Sequence, residues 1–102
     1  MTDPVLDRLK RDVRRIYEDR VESIVLFGSR ARGEAGATSD YDVAVFLRGY
    51  TGGLDEVDRL ADLSWDIQTE TGAVVSPLPF PADERHKNTI LMANIRRDGV
   101  PL

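Results

Sequence analysis

The 102-residue sequence contains no cysteine. That excludes a disulfide framework and a thiolate metal site. It has one histidine, His86, set between Arg85 and Lys87. A lone imidazole there reads as a surface residue and makes no metal site. No apolar run approaches the roughly 18 residues that a membrane span requires, and the N-terminus lacks the pattern of a signal peptide. The expected location is therefore the cytoplasm. An excess of positive charge is missing as well. The formal net charge is −4, whereas a grip on long DNA or RNA normally needs a basic surface. Internal repeats, low-complexity segments and linkers are absent. What remains, 41% hydrophobic and 31% charged residues, is ordinary for a globular protein. The length suits a single small domain over residues 1–102.

The chain is organised around residues 24–47. The run Ile24-Val25-Leu26-Phe27 reads as a short buried strand, ended by Gly28 and Ser29. A loop carrying Arg30, Arg32, Gly33, Gly36 and Ser39 follows. Asp40 and Asp42 then open a second buried strand, Val43-Ala44-Val45-Phe46-Leu47. Consecutive strands joined by a short connection most often pair antiparallel. That pairing brings Gly28 and Ser29 beside Asp40 and Asp42.

Residues two apart on a strand share a face, so both carboxylates point the same way, about 6–7 Å apart at Cα. Such a pair repels itself and resists dehydration. Magnesium held by carboxylates and phosphate oxygens relieves both problems. Gly28 permits close approach to its backbone. Ser29, the following amides, Arg30 and Arg32 are donors for an anion. Together these residues read as a site for a nucleoside triphosphate. The plainer alternatives are an Asx-rich hairpin turn and salt bridges from Arg30 and Arg32 to Glu34 or Asp40.

Around this centre the sequence predicts a leading helix from Asp3-Pro4, with Val5, Leu6, Leu9, Val13, Ile16 and Tyr17 on its apolar stripe. Arg8, Lys10, Arg11, Arg14 and Arg15 lie mostly off that stripe, as a solvated basic face or a partner contact. A helix from Leu54 to about Thr71 follows the second strand, stopped by Gly72. Its expected inner stripe is Leu54, Val57, Leu60, Ala61, Ser64 and Ile67, with Trp65 at the core or its rim. Ala73-Val74-Val75-Ser76 reads as a third strand, which Pro77 and Pro79 end or hold near an edge. A polar segment over Phe80–Lys87 has room for a helical turn, and a last helix starts from Asn88 and closes at Gly99. The expected fold class is α/β (α+β), a small mixed sheet with helices packed on it.

Gly28-Ser29-Arg30-Ala31-Arg32-Gly33, followed by Ser39-Asp40-Tyr41-Asp42, resembles the core motif of the polymerase-β-type nucleotidyltransferase superfamily. The match is best to its minimal members, small proteins often encoded beside a HEPN-domain partner. The size and the leading helix also fit, so the resemblance spans the chain. It implies a nucleotidyltransferase, polymerase-β palm-like fold, without the template-binding domains of larger relatives. It implies ATP or another nucleoside triphosphate as substrate, and Mg2+ held by the catalytic pair Asp40 and Asp42. Gly28 and Ser29 would seat the β- and γ-phosphates, and Arg30 or Arg32 would neutralise the departing pyrophosphate. The implied activity moves a nucleotide, AMP from ATP, onto a hydroxyl. The implied acceptor is a tyrosine of a HEPN-type toxin, which would make this chain an antitoxin. A homodimer is also compatible with the resemblance, and the lack of a long apolar run leaves no membrane partner expected.

The sequence departs from the family at one place. Members that catalyse usually carry a third carboxylate on the strand after the long helix, and here that position falls near Ser76. Serine is neutral and a poor base at neutral pH. Asp66, Glu70, Asp83 and Glu84 lie near in sequence but off the expected strand. The alternative function is thus a catalytically degenerate nucleotide-binding or partner-binding subunit that neutralises its partner by contact.

Overall fold

Asp3 starts the first helix, α1 (Pro4–Tyr17), as the sequence predicts. Its carboxylate accepts the amide protons of Val5 and Leu6 at 2.9 and 3.4 Å, and Pro4 occupies the first turn. The computed structural model describes residues 3–34, 36 and 40–102. Ser39, part of the expected donor loop, lies outside the described residues.

Four strands form one sheet: β1 (Val21–Phe27), β2 (Tyr41–Leu47), β3 (Val75–Pro81) and β4 (Val100–Pro101). Their spatial order is β3-β2-β1-β4. β1 runs antiparallel to β2 and β4, and β2 runs parallel to β3. A parallel pair needs a crossover, and α3 (Leu54–Thr71) supplies it. Gly72 stops α3 in the left-handed conformation, φ 79°, as its sequence position indicates. Two further α-helices, α2 (Gly28–Ala31) and α4 (Ile90–Asp98), and two short 3-10 segments, Glu18–Arg20 and Ala82–His86, complete the fold; the second is the helical turn expected after Phe80.

Alternation along β2 divides the core. Tyr41, Val43, Val45 and Leu47 face α1 and α3, where Leu9, Val13, Leu60, Leu63 and Ile67 are buried against them. Ala44 and Phe46 face the other way, with Val25 and with Met92 and Ile95 of α4. Phe80 stacks on Phe46 with ring centroids 5.6 Å apart. β2 is therefore covered on both faces, as its apolar run requires. The face that carries Asp42 is covered by α4, with Phe80 and Arg85 over the Phe46 ring.

Four expectations need correction. α3 does not bury Leu54, Val57 and Ala61; it buries Glu56, Leu60, Leu63 and Ile67. Arg20 explains the turn of that face, because it pairs with Glu56 at 2.9 Å and lets a carboxylate occupy a core position. Ser64 adds to it by donating to the Val75 carbonyl at 2.6 Å. Trp65 is 65% exposed, not at the core. β3 starts later than expected and runs through its prolines as an edge strand. A proline cannot donate to the ladder, so Pro77, Pro79 and Pro81 turn their missing donors to the open edge. Thr89, not Asn88, caps α4, its hydroxyl accepting from the Met92 amide at 3.1 Å. β4, two residues long, has no counterpart in the sequence reading.

Candidate functional site

β1 and β2 pair so that Phe27 lies opposite Asp42. The residue after Phe27 thereby meets the carboxylate. Gly28 has φ +75°, and a Cβ built on it would stand 2.5 Å from Asp42 Oδ2 and 3.3 Å from Asp42 Cγ. The Gly-Ser turn and the Asp-x-Asp segment thus form one contact, with no room for a side chain at position 28. Ser29 follows in α2, whose first turn receives no side-chain cap among the described residues. The first amides of a helix have no intrahelical partner, so this turn presents donors beside Asp42.

Asp42 is half-buried and Asp40 exposed. Burial pushes the Asp42 carboxyl above the usual carboxylate range, and the nearby charge of Asp40 pushes it further the same way. Both effects are those expected of two carboxylates waiting for a cation. Magnesium is bound by one or two carboxylates together with substrate phosphates, and this donor set fits that chemistry.

The register of β2 and β3 places Ser76 directly beside Asp42. Paired residues of a parallel ladder project to the same side, so Ser76 joins the Asp42 face. No group of three or more His, Cys, Asp or Glu able to hold a metal exists among the described residues. The remaining nearby acids are engaged elsewhere or exposed: Glu70 accepts from Arg8 at 2.6 Å, and Glu84 pairs with Lys87 at 2.9 Å. Asp66 and Asp83 are exposed on other elements.

The two arginines separate. The Arg30 guanidinium lies over the Tyr41 ring, 3.8 Å from its centroid. Tyr41 alternates with Asp42 along β2, so Arg30 sits toward the opposite side of the strand. There it lines a groove of about 240 Å³ with Asp3, Leu6, Leu26, Gly33 and Tyr41. Arg32 pairs with Glu34 at 3.2 Å, one of the plain readings of the sequence. It also lies close enough to Asp98 to act on it: the Asp98 carboxyl is held below its usual range by its hydrogen bond from Arg97 and, more weakly, by Arg32. Asp98 at the end of α4 and Asp3 before α1 were missed as neighbours of this region. Asp3 accepts the Tyr41 hydroxyl proton at 2.8 Å across 38 residues. Neither has a sequence signal, because each contact is made by the packing of a distant helix end.

Residues 6–93 match the family model of the nucleotidyltransferase domain. Over 76 residues, 74% of this chain and 76% of the relative, the sequence is 34% identical to a Methanocaldococcus jannaschii protein named as a protein adenylyltransferase. Among solved structures, a toxin-antitoxin crystallised with AMP-PNP superposes with TM-score 0.63 at 22% identity, covering 93% of this chain and 70% of that one. A minimal nucleotidyltransferase gives 0.62 at 23%, covering 96% and 92%. A tri-AMPylated Shewanella oneidensis HEPN toxin in complex with its MNT antitoxin gives 0.55 at 19%, covering 95% and 70%. At these identities the structural likeness shows the fold.

Proposed function

This chain belongs to the nucleotidyltransferase domain family, and from that premise we propose that it moves AMP from ATP onto a hydroxyl of a helical, HEPN-type partner. Asp40 and Asp42 hold a magnesium-bound nucleotide in this reading. The observation that supports it most is the Gly28–Asp42 contact, which joins a phosphate-seating turn to the paired carboxylates. The adenylyltransferase name of the Methanocaldococcus relative supports AMP as the group moved. The AMPylated toxin of the Shewanella complex supports a HEPN-type acceptor and an antitoxin role.

The acceptor oxygen attacks the α-phosphorus in line. The bond from that oxygen to phosphorus forms, the bond to the β-phosphate oxygen breaks, pyrophosphate leaves with the electron pair, and the hydroxyl proton passes to solvent. Magnesium, when bound, offsets phosphate charge and eases ionisation of the acceptor. Gly28 and Ser29 orient the β- and γ-phosphates through their backbone and hydroxyl donors. Arg32, on the Asp98 side of the site, is the better placed of the two arginines to meet departing pyrophosphate. A cytoplasmic setting agrees with an ATP substrate.

Ser76 favours a second reading. A neutral residue beside Asp42 leaves β3 without a base, so the chain would bind nucleotide and neutralise its partner by contact. Calorimetric titration with a non-hydrolysable ATP analogue, with and without magnesium, tests the site. The wild type is expected to bind only with magnesium, and Asp42→Ala to lose that binding while keeping its helical circular dichroism. Unchanged binding in Asp42→Ala would remove the metal assignment.

A further inference from the structure

α3 carries two apolar stripes. One, Leu60, Leu63 and Ile67, is buried on the sheet. The other, Leu54, Val57, Ala61 and Trp65, recurs at spacings of three and four residues and therefore forms a continuous row. That row points to solvent: Leu54 is 74%, Val57 39% and Trp65 65% exposed. An exposed aromatic and two large aliphatics in line on one helix are a feature that a folded chain normally covers.

The charges around the row bear on what would cover it. Asp55, Asp58, Asp62 and Asp66 repeat at the same spacing along one flank, all exposed. None of their carboxylates enters an ion pair among the described residues, although most other acids of the helices do. The opposite flank is neutral, with Ser64 and Gln68. We propose that this outward face of α3 docks an amphipathic helix of the partner protein, with an apolar stripe set against Trp65 and lysines or arginines along one flank against the aspartates. The inference rests on the reading that the chain works against a helical partner, and it assigns that partner its surface.

A second copy of the chain packed antiparallel fits this face poorly. Two α3 helices packed antiparallel about a two-fold axis put both aspartate rows on the same side, where they repel. α1 offers Lys10, Arg11, Arg14 and Arg15, but its exposed residues include no large hydrophobic to cover Trp65. Strand addition at the β3 edge is also closed, since the prolines of β3 remove the donors of that edge.

The test co-expresses the full chain with a HEPN-type protein of the same genome and measures the complex by light scattering and calorimetry at two salt concentrations. The wild-type complex is expected to weaken with salt. Trp65→Glu, and Asp58→Lys with Asp62→Lys, should each weaken it at least tenfold. Lys10→Glu with Arg14→Glu on α1 should leave it unchanged. All of these positions are exposed, so circular dichroism should not change, and magnesium-dependent nucleotide binding should persist in Trp65→Glu. A complex indifferent to the α3 variants overturns the surface and leaves the partner reading standing. No complex with the wild type overturns the partner reading and the surface with it. Self-association of the chain alone that Trp65→Glu abolishes makes a second copy the occupant and overturns the proposal.

Discussion

Replacing Gly28 by alanine would set a methyl carbon 2.5 Å from Asp42 Oδ2, on a backbone with φ +75°. Two costs coincide there. A left-handed conformation costs an ordinary residue roughly 1–2 kcal/mol, and the carboxylate must also move. Gly49 separates the two, because it has φ +76° and nothing within 4 Å of the same added atom. Gly49→Ala is expected to lose about 1 kcal/mol by urea unfolding. Gly28→Ala should lose roughly 2–4 kcal/mol, the range of strain plus a displaced buried group. It should also lose magnesium-dependent nucleotide binding, which Gly49→Ala keeps. Equal losses in the two variants, with binding intact in both, would mean that Asp42 moves aside without consequence.

Among the elements, the pairing of β2 with β3 carries the chemical question. It sets Ser76 beside Asp42, so Ser76→Asp places a third carboxylate on the face where one is missing. The variant is expected to raise AMP transfer, read as pyrophosphate release, with 10²–10⁴ the ceiling for a general base. It should also lower the stability of the metal-free protein, because it adds a like charge beside Asp42. Unchanged turnover with intact nucleotide binding would place the proton acceptor elsewhere, on the partner for instance. Most of this arrangement is legible in the sequence. Continuous apolar runs give β1 and β2 as buried strands, and Gly28-Ser29 with Asp40 and Asp42 locates their junction. Three features were not legible. α3 bears two apolar stripes, and periodicity cannot say which one meets the sheet; Arg20, a residue from another element, decides it by pairing with Glu56. β4 is too short to have a pattern, and its pairing to Val25 and Leu26 comes from the return of the chain after α4. Arg30 and Arg32 are two residues apart, yet Tyr41 holds one on one side of β2 while the other sits near Asp98.

For the whole molecule, a buried tyrosine of the helical layer bears on stability at alkaline pH. Tyr17 ends α1 with 2% exposure, and its hydroxyl has no hydrogen-bond partner among the described residues. Burial pushes its pKa from 10.0 up to about 12; Glu56 pushes the same way, while Arg59 and Arg20 oppose. The folded pKa lies above the unfolded one, so the contribution is complete below pH 10. It is lost as the pH rises through about 12, because the unfolded chain ionises its tyrosine first. Tyr17→Phe removes both the ionisation and a buried hydroxyl that lies beside Glu56 without a well-formed hydrogen bond. It is expected to be more stable than the wild type by about 1 kcal/mol at pH 8. The gap should widen between pH 10 and 12, as the wild type falls and the variant loses only what its other groups lose. Urea midpoints measured from pH 8 to 12 give both quantities. A variant that is less stable at pH 8 and parallels the wild type above pH 10 would mean that the hydroxyl is satisfied and that Tyr17 does not bear on alkaline stability.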